Sequence, residues 1–147
     1  MTPELMESLG RIGSAMAVSL AAAGSALGTG AAGMAAVGAW KKCYAQSKAA
    51  PFLLAVFVGA PITQTFYGLL AMFKLNDAAT TGQWPGLIGW GISGLAMGMS
   101  AWMQGKAGAA ASDALAETGQ GFANYLIVLG VIESVALFMM IFVLIGA

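Results

Sequence analysis

The sequence predicts an all-α membrane protein, with four transmembrane helices laid out as two tandem-duplicated hairpins. Three observations predict it. Of 147 residues, 59% are hydrophobic and only 8% charged, where soluble domains carry roughly 25% charge. Mean hydropathy is +0.83, and six acids with six bases could not clothe the surface of a soluble core. The apolar residues also fall in four runs long enough for the ~20 residues of helix that cross a bilayer.

The first run covers residues 12–39 and is built almost wholly from Ala, Gly, Ser, Val and Leu. The second covers 52–73, the third 84–111 and the fourth 122–145. Most of the charge lies between them. Lys41, Lys42 and Lys48 fall in the first break, closed by Pro51; Lys74 and Asp77 fall in the second, closed by Gly82 and Pro85; Asp113 and Glu117 lead into the glycine-rich third. The first hairpin is therefore assigned residues 1–78 and the second 79–147. Glu4 and Glu7 precede Arg11, the wrong charge for a secretory leader, so the first run is expected to be retained.

Two kinds of helix alternate. The first and third runs are rich in small residues, with Gly24/Gly28 and Gly94/Gly98 at four-residue spacing; such faces let backbones approach closely in lipid. The second and fourth are bulky, rich in Leu, Val, Phe, Ile and Met. Gly30 and Gly33 recur 75 positions on as Gly105 and Gly108, and Pro61-Ile-Thr-Gln64 aligns 69 positions on with Gly130-Val-Ile-Glu133. This register points to a duplicated hairpin. Lys41, Lys42, Lys48 and Lys106 flank the hairpin tips, against Arg11 and Lys74 at the other end. The basic excess places the tips in the cytoplasm and both termini outside.

Several functions are excluded or disfavoured. A net charge of zero without histidine offers no nucleic-acid surface. Cys43 is the only cysteine, so no intramolecular disulfide or thiolate metal site forms, and it is expected as a reduced thiol in the first polar loop. Gly28-Thr-Gly-Ala-Ala-Gly33 and Gly89-Trp-Gly-Ile-Ser-Gly94 fit a dinucleotide pattern. Neither follows a strand, so both read as packing glycines. Trp40, Trp84, Trp90 and Trp102 read mostly as interface anchors.

One residue carries chemistry. Glu133 lies near the middle of the fourth run, where an ionisable group costs roughly 2.5–3.5 kcal/mol. It is either a neutral acid hydrogen-bonding between helices or a carboxylate that binds and releases a cation. The spacing favours the second. Gln104 and Glu133 are equidistant from the turn at Glu117–Gly119, and Thr29 and Gln64 are equidistant from Gln46–Ser47. Residues equidistant from a hairpin tip share a depth. Ala60, Thr63, Gln64 and Tyr67 occupy one helical face, and Pro61 frees a nearby carbonyl by removing an amide donor. One carboxylate, two amide oxygens, a hydroxyl and a carbonyl form the all-oxygen set that hard cations take. A proton would need only the carboxylate. Sodium at ~10 mM outnumbers protons at neutral pH by about five decades, or about 7 kcal/mol, so a weakly held sodium still fills such a site.

With Gly24-Ser-Ala-Leu-Gly-Thr-Gly30, Pro61-Ile-Thr-Gln-Thr-Phe-Tyr67, Gln104-Gly-Lys106 and the Glu133 helix together, the whole chain resembles the proteolipid rotor-ring protein (the K or c component) of bacterial V-type ATPases in its duplicated four-helix form. The resemblance implies a homo-oligomeric ring with small-residue helices inside and bulky ones facing lipid. It implies a cell-membrane location, a stator subunit with half-channels and central-stalk subunits docking on the cytoplasmic tips. It also implies sodium, or a proton, as the ion carried. Thr63, Gln64, Gln104, Glu133 and the carbonyl of Ala60 would be the ligands, with Tyr67 hydrogen-bonded to the carboxylate. No organic cofactor and no catalysis by the chain itself are implied. Gln64 in place of an acid implies one ion per four helices. A passive channel and a structural membrane adaptor are the competing readings.

Overall fold

In the computed structural model, which describes residues 1–81 and 83–147, all regular structure among the described residues is helical. Gly82, expected to close the second break, lies outside the described residues. Helix α1 runs Pro3–Ala45, α2 Leu54–Gly59, α3 Thr63–Ala79, α4 Trp84–Gly91, α5 Ser93–Thr118 and α6 Phe122–Gly146. A 3-10 turn, Ala60–Ile62, joins α2 to α3. Pro61 sits inside that turn and cannot donate to the carbonyl one turn back, so the α-helical ladder is interrupted there.

Helix α1 is longer than the apolar run that predicts it. Thr2 caps it by accepting from the Leu5 amide at 3.3 Å, and Pro3 occupies the first turn. Its 43 residues extend about 64 Å, well beyond a ~30 Å hydrocarbon layer. The overhang is held at one end by an Arg11–Glu7 pair at 2.6 Å. At the other, Cys43 is not in a loop. It is buried in the last turns of α1, with its thiol directed at the Ala116 carbonyl at 3.8 Å. Nearby, Lys42 Nζ meets Asp113 Oδ1 at 3.0 Å across the two exposed tips. The second tip needs glycine, since Gly119 and Gly121 take left-handed φ values of 68° and 87°.

Three helices are long and apolar enough to cross a membrane: Pro3–Ala45, Leu54–Ala79 and Phe122–Gly146. The expected fourth span is divided at Ile92 into α4 and α5. Helix α5 carries Gln104, Lys106, Asp113 and Glu117, which lower its hydropathy. It tolerates them because Gln104, Ser100 and Ser112 are buried against protein rather than lipid. The chain is a multi-pass membrane protein.

Close packing follows the glycines. A Cβ on Gly24 would fall on the backbone of Gly98, one on Gly28 on Ala101, one on Gly105 on Gly28, and one on Gly94 on Ala17. Gly108 abuts the Phe57 carbonyl. These contacts run α1 and α5 side by side in parallel. Gly13, Gly91 and Gly68, which no motif marks in the sequence, make contacts equally tight. Gly33 meets only Val58, at 3.6 Å, and Gly30 meets nothing within 4 Å inside this chain. Bulky side chains of α3 and α6, among them Phe66, Phe73, Val131 and Phe138, point outward.

Candidate functional site

The 3-10 turn orients the first part of the site. Thr63 Oγ1 donates to the Ala60 carbonyl at 2.9 Å and lies 3.1 Å from Gln64 Oε1. Three oxygens are thus gathered within one turn of chain. Gln64 is fully buried, and its Nε2 donates to Gln104 Oε1 at 2.9 Å. Gln104, also fully buried on α5, turns its own Nε2 to Glu133 Oε2 and to the Leu129 carbonyl, both at 3.1 Å. That orientation is dictated by the partners, since carbonyl and carboxylate oxygens only accept.

Tyr67 completes the arrangement. Its hydroxyl donates to Glu133 Oε1 at 2.7 Å. Each carboxylate oxygen therefore holds one donor, the phenol from α3 and the amide from α5. Glu133 is half-buried and lies one residue from the midpoint of α6. Ser100 Oγ donates to the Ile132 carbonyl at 2.8 Å, fixing α6 against α5 one turn below Gln104.

All six residues singled out from the sequence, Ala60, Thr63, Gln64, Tyr67, Gln104 and Glu133, fall in one hydrogen-bonded cluster. Thr29 does not bond to Gln64, although the two are equidistant from the first tip; Gln64 turns instead to Gln104 and Thr63. Ser100 and the Leu129 carbonyl were missed. Ser100 stands four residues before Gln104 on the same helical face, which is the signal that could have found it. Lys106 does not flank a tip: it is exposed two residues from Gln104, with its ammonium 4.3 Å from the centroid of the Trp102 ring. Trp102 therefore lies at the depth of the site rather than at an interface. Among the described residues, no three His, Cys, Asp or Glu side chains come together as a metal cluster.

Helix order and site together define a class: a polytopic membrane proteolipid with one carboxylate held by neutral donors midway along a spanning helix. Residues 88–145 match the family model of the ATP synthase C-chain, the proteolipid of the membrane rotor. The matched segment contains Gln104 and Glu133 and covers α5 and nearly all of α6. That family consists of non-catalytic, ion-carrying rotor subunits that form homo-oligomeric rings, and the match extends this non-catalytic character to the second hairpin. No protein of curated function matches the chain.

Proposed function

We propose that the chain is the membrane rotor-ring subunit of a V-type ATPase in its duplicated four-helix form, carrying sodium on Glu133. The observation that carries this reading is the Glu133 carboxylate, gripped by Tyr67 and Gln104 from two other helices at mid-membrane. A single carboxylate supplies one negative charge, so a monovalent cation leaves the site neutral. A neutral site can travel past lipid, whereas a bare carboxylate at that depth is costly. The oxygens of Ala60, Thr63 and Gln64 lie together in one turn, joined through Gln104 to the carboxylate. This surplus of neutral oxygens supports sodium over a proton, which would leave them without a role.

In this reading a stator subunit delivers the ion through one half-channel, and ATP-driven rotation carries it to another. The central stalk docks on the hairpin tips. Lys41, Lys42 and Lys48 remain as the tip lysines, against Arg11 and Lys74 opposite, which supports cytoplasmic tips and external termini in the cell membrane.

The ring contact follows from packing inside the chain. Helix α5 lays Gly98 and Gly105 against Gly24 and Gly28 of α1. The same step taken once more lays Ala23 and Gly30 of a neighbouring copy against Met99 and Met103. Met99 is 61% exposed and Met103 51% exposed, and both line an apolar groove between α5 and α6 with Ala96, Val131 and Val135. A head-to-tail contact of this kind closes into a ring when its rotation does.

The test is carbodiimide labelling of the purified ring at fixed pH, with and without sodium. Carbodiimides react with a protonated carboxyl, and Glu133 is the carboxyl expected to be modified. Sodium should suppress the modification. Labelling that falls only as pH rises, with sodium without effect, would make the carried ion a proton. Absence of labelling at Glu133 under every condition would contradict an ion-carrying role.

A further inference from the structure

The two hairpins superpose in sequence with a shift of 75 positions on the inner helices and 69 on the outer ones. Ser100 and Gln104 of α5 then correspond to Ser25 and Thr29 of α1, and Leu129 and Ile132 of α6 to Ala60 and Thr63. In the second hairpin this set makes two cross-helix bonds, Ser100 Oγ to the Ile132 carbonyl and Gln104 Nε2 to the Leu129 carbonyl. In the first hairpin neither forms. Ser25 Oγ and Thr29 Oγ1 are both buried without a hydrogen-bond partner, and Ser25 is only 5% exposed.

The packing puts these hydroxyls at the back of the ion-binding turn. Gly28 packs on the Pro61 ring, and Ala21 packs on Gly68. Counting between those antiparallel contacts sets Thr29 level with Ala60 and Ser25 level with Gln64. A threonine hydroxyl ends two bonds short of a glutamine amide, about 2.5 Å along the side chain. That shortfall is close to one O–H···O hydrogen bond, ~2.8 Å. Ser25 matches Ser100 in length, but it faces the 3-10 turn where α6 is unbroken. Other hydroxyls of the inner helices satisfy themselves on the carbonyl four residues back, as Ser19 does on Ala15 and Ser112 on Gly108. Ser25 and Thr29 do not.

We infer that Ser25 and Thr29 hold an ordered water that fixes the carbonyl of Ala60 from behind. The water accepts from Thr29 and donates to the Ala60 carbonyl and to Ser25 Oγ, the two to four polar partners that a buried water takes. Thr63 occupies one lone pair of that carbonyl, and the water occupies space the side chains cannot reach. Its role is positional: it holds one ligand of the cation in place without touching the cation. The inference rests on Ala60–Gln64 being part of a sodium site.

The experiment is sodium protection of Glu133 from carbodiimide in intact rings carrying Ser25→Ala with Thr29→Val, compared with Thr29→Ser and the unaltered chain. The double variant should need about fivefold more sodium for half-protection, the value of one neutral hydrogen bond. Thr29→Ser keeps the hydroxyl and should keep the original midpoint. An unchanged midpoint in the double variant would overturn the inference. So would an experimental structure fine enough to show water in which the two hydroxyls instead bond Ala21 and Ser25 carbonyls. Failure of sodium to protect even the unaltered ring would fault the sodium site itself, and is thereby told apart.

Discussion

Replacing Glu133 with glutamine should abolish ATP-driven sodium uptake, lowering it at least about a hundredfold, while the ring still assembles. The carboxamide keeps the volume of the carboxylate and can still accept from Tyr67, so the α3–α6 contact survives. What vanishes is the compensating charge. A sodium ion left uncompensated at that depth faces a cost of the order of the insertion penalty for a charged residue, ~2.5–3.5 kcal/mol or more, which is about two decades in occupancy. Carrying one charge against ~150 mV demands a further ~3.4 kcal/mol. Uptake into vesicles containing the assembled ATPase is the measurement. Undiminished pumping by the variant would contradict the assignment of Glu133.

The second large effect separates folding from assembly. Gly30→Leu should leave the single chain folded and prevent ring formation. Inside the chain Gly30 meets nothing within 4 Å, so a leucine there displaces no neighbour. In the ring the same position is proposed to abut Met103 of the next copy, at the spacing by which Gly105 abuts Gly28. A leucine at such a contact forces the helices apart. Gly24→Leu is the control with the opposite character, because its Cβ would fall on the backbone of Gly98 in the same chain. Native electrophoresis and helical content read the two outcomes apart. Intact rings from Gly30→Leu would exclude this face from the interface.

Much of this molecule is legible in its sequence because lipid removes ambiguity. A backbone in hydrocarbon must satisfy its hydrogen bonds internally, so long apolar runs become helices even when Gly and Ala dominate. Hairpin arithmetic placed Gln104 level with Glu133, and helical spacing put Tyr67 and Gln64 on one face; all four residues meet in the structure. What escaped was set by helix neighbours. The tight approach at Gly13 and Gly91 needs α4 folded over α1, and no local pattern encodes that. Helix ends escaped too, because Cys43 and Lys42 belong to a helix that outruns the bilayer. Hydropathy marks where lipid stops and says nothing of where hydrogen bonding does. Lys106 misled for the complementary reason: its charge suggested a tip, yet its ammonium rests over Trp102 beside the site depth.

Radioactive sodium bound per chain in the purified ring tests the central claim most directly. One carboxylate per four helices predicts one sodium per chain, lost in Glu133→Gln and retained in Gln64→Ala at weaker affinity. Two ions per chain, or sodium that stays bound at full occupancy without the Glu133 carboxylate, would contradict the account.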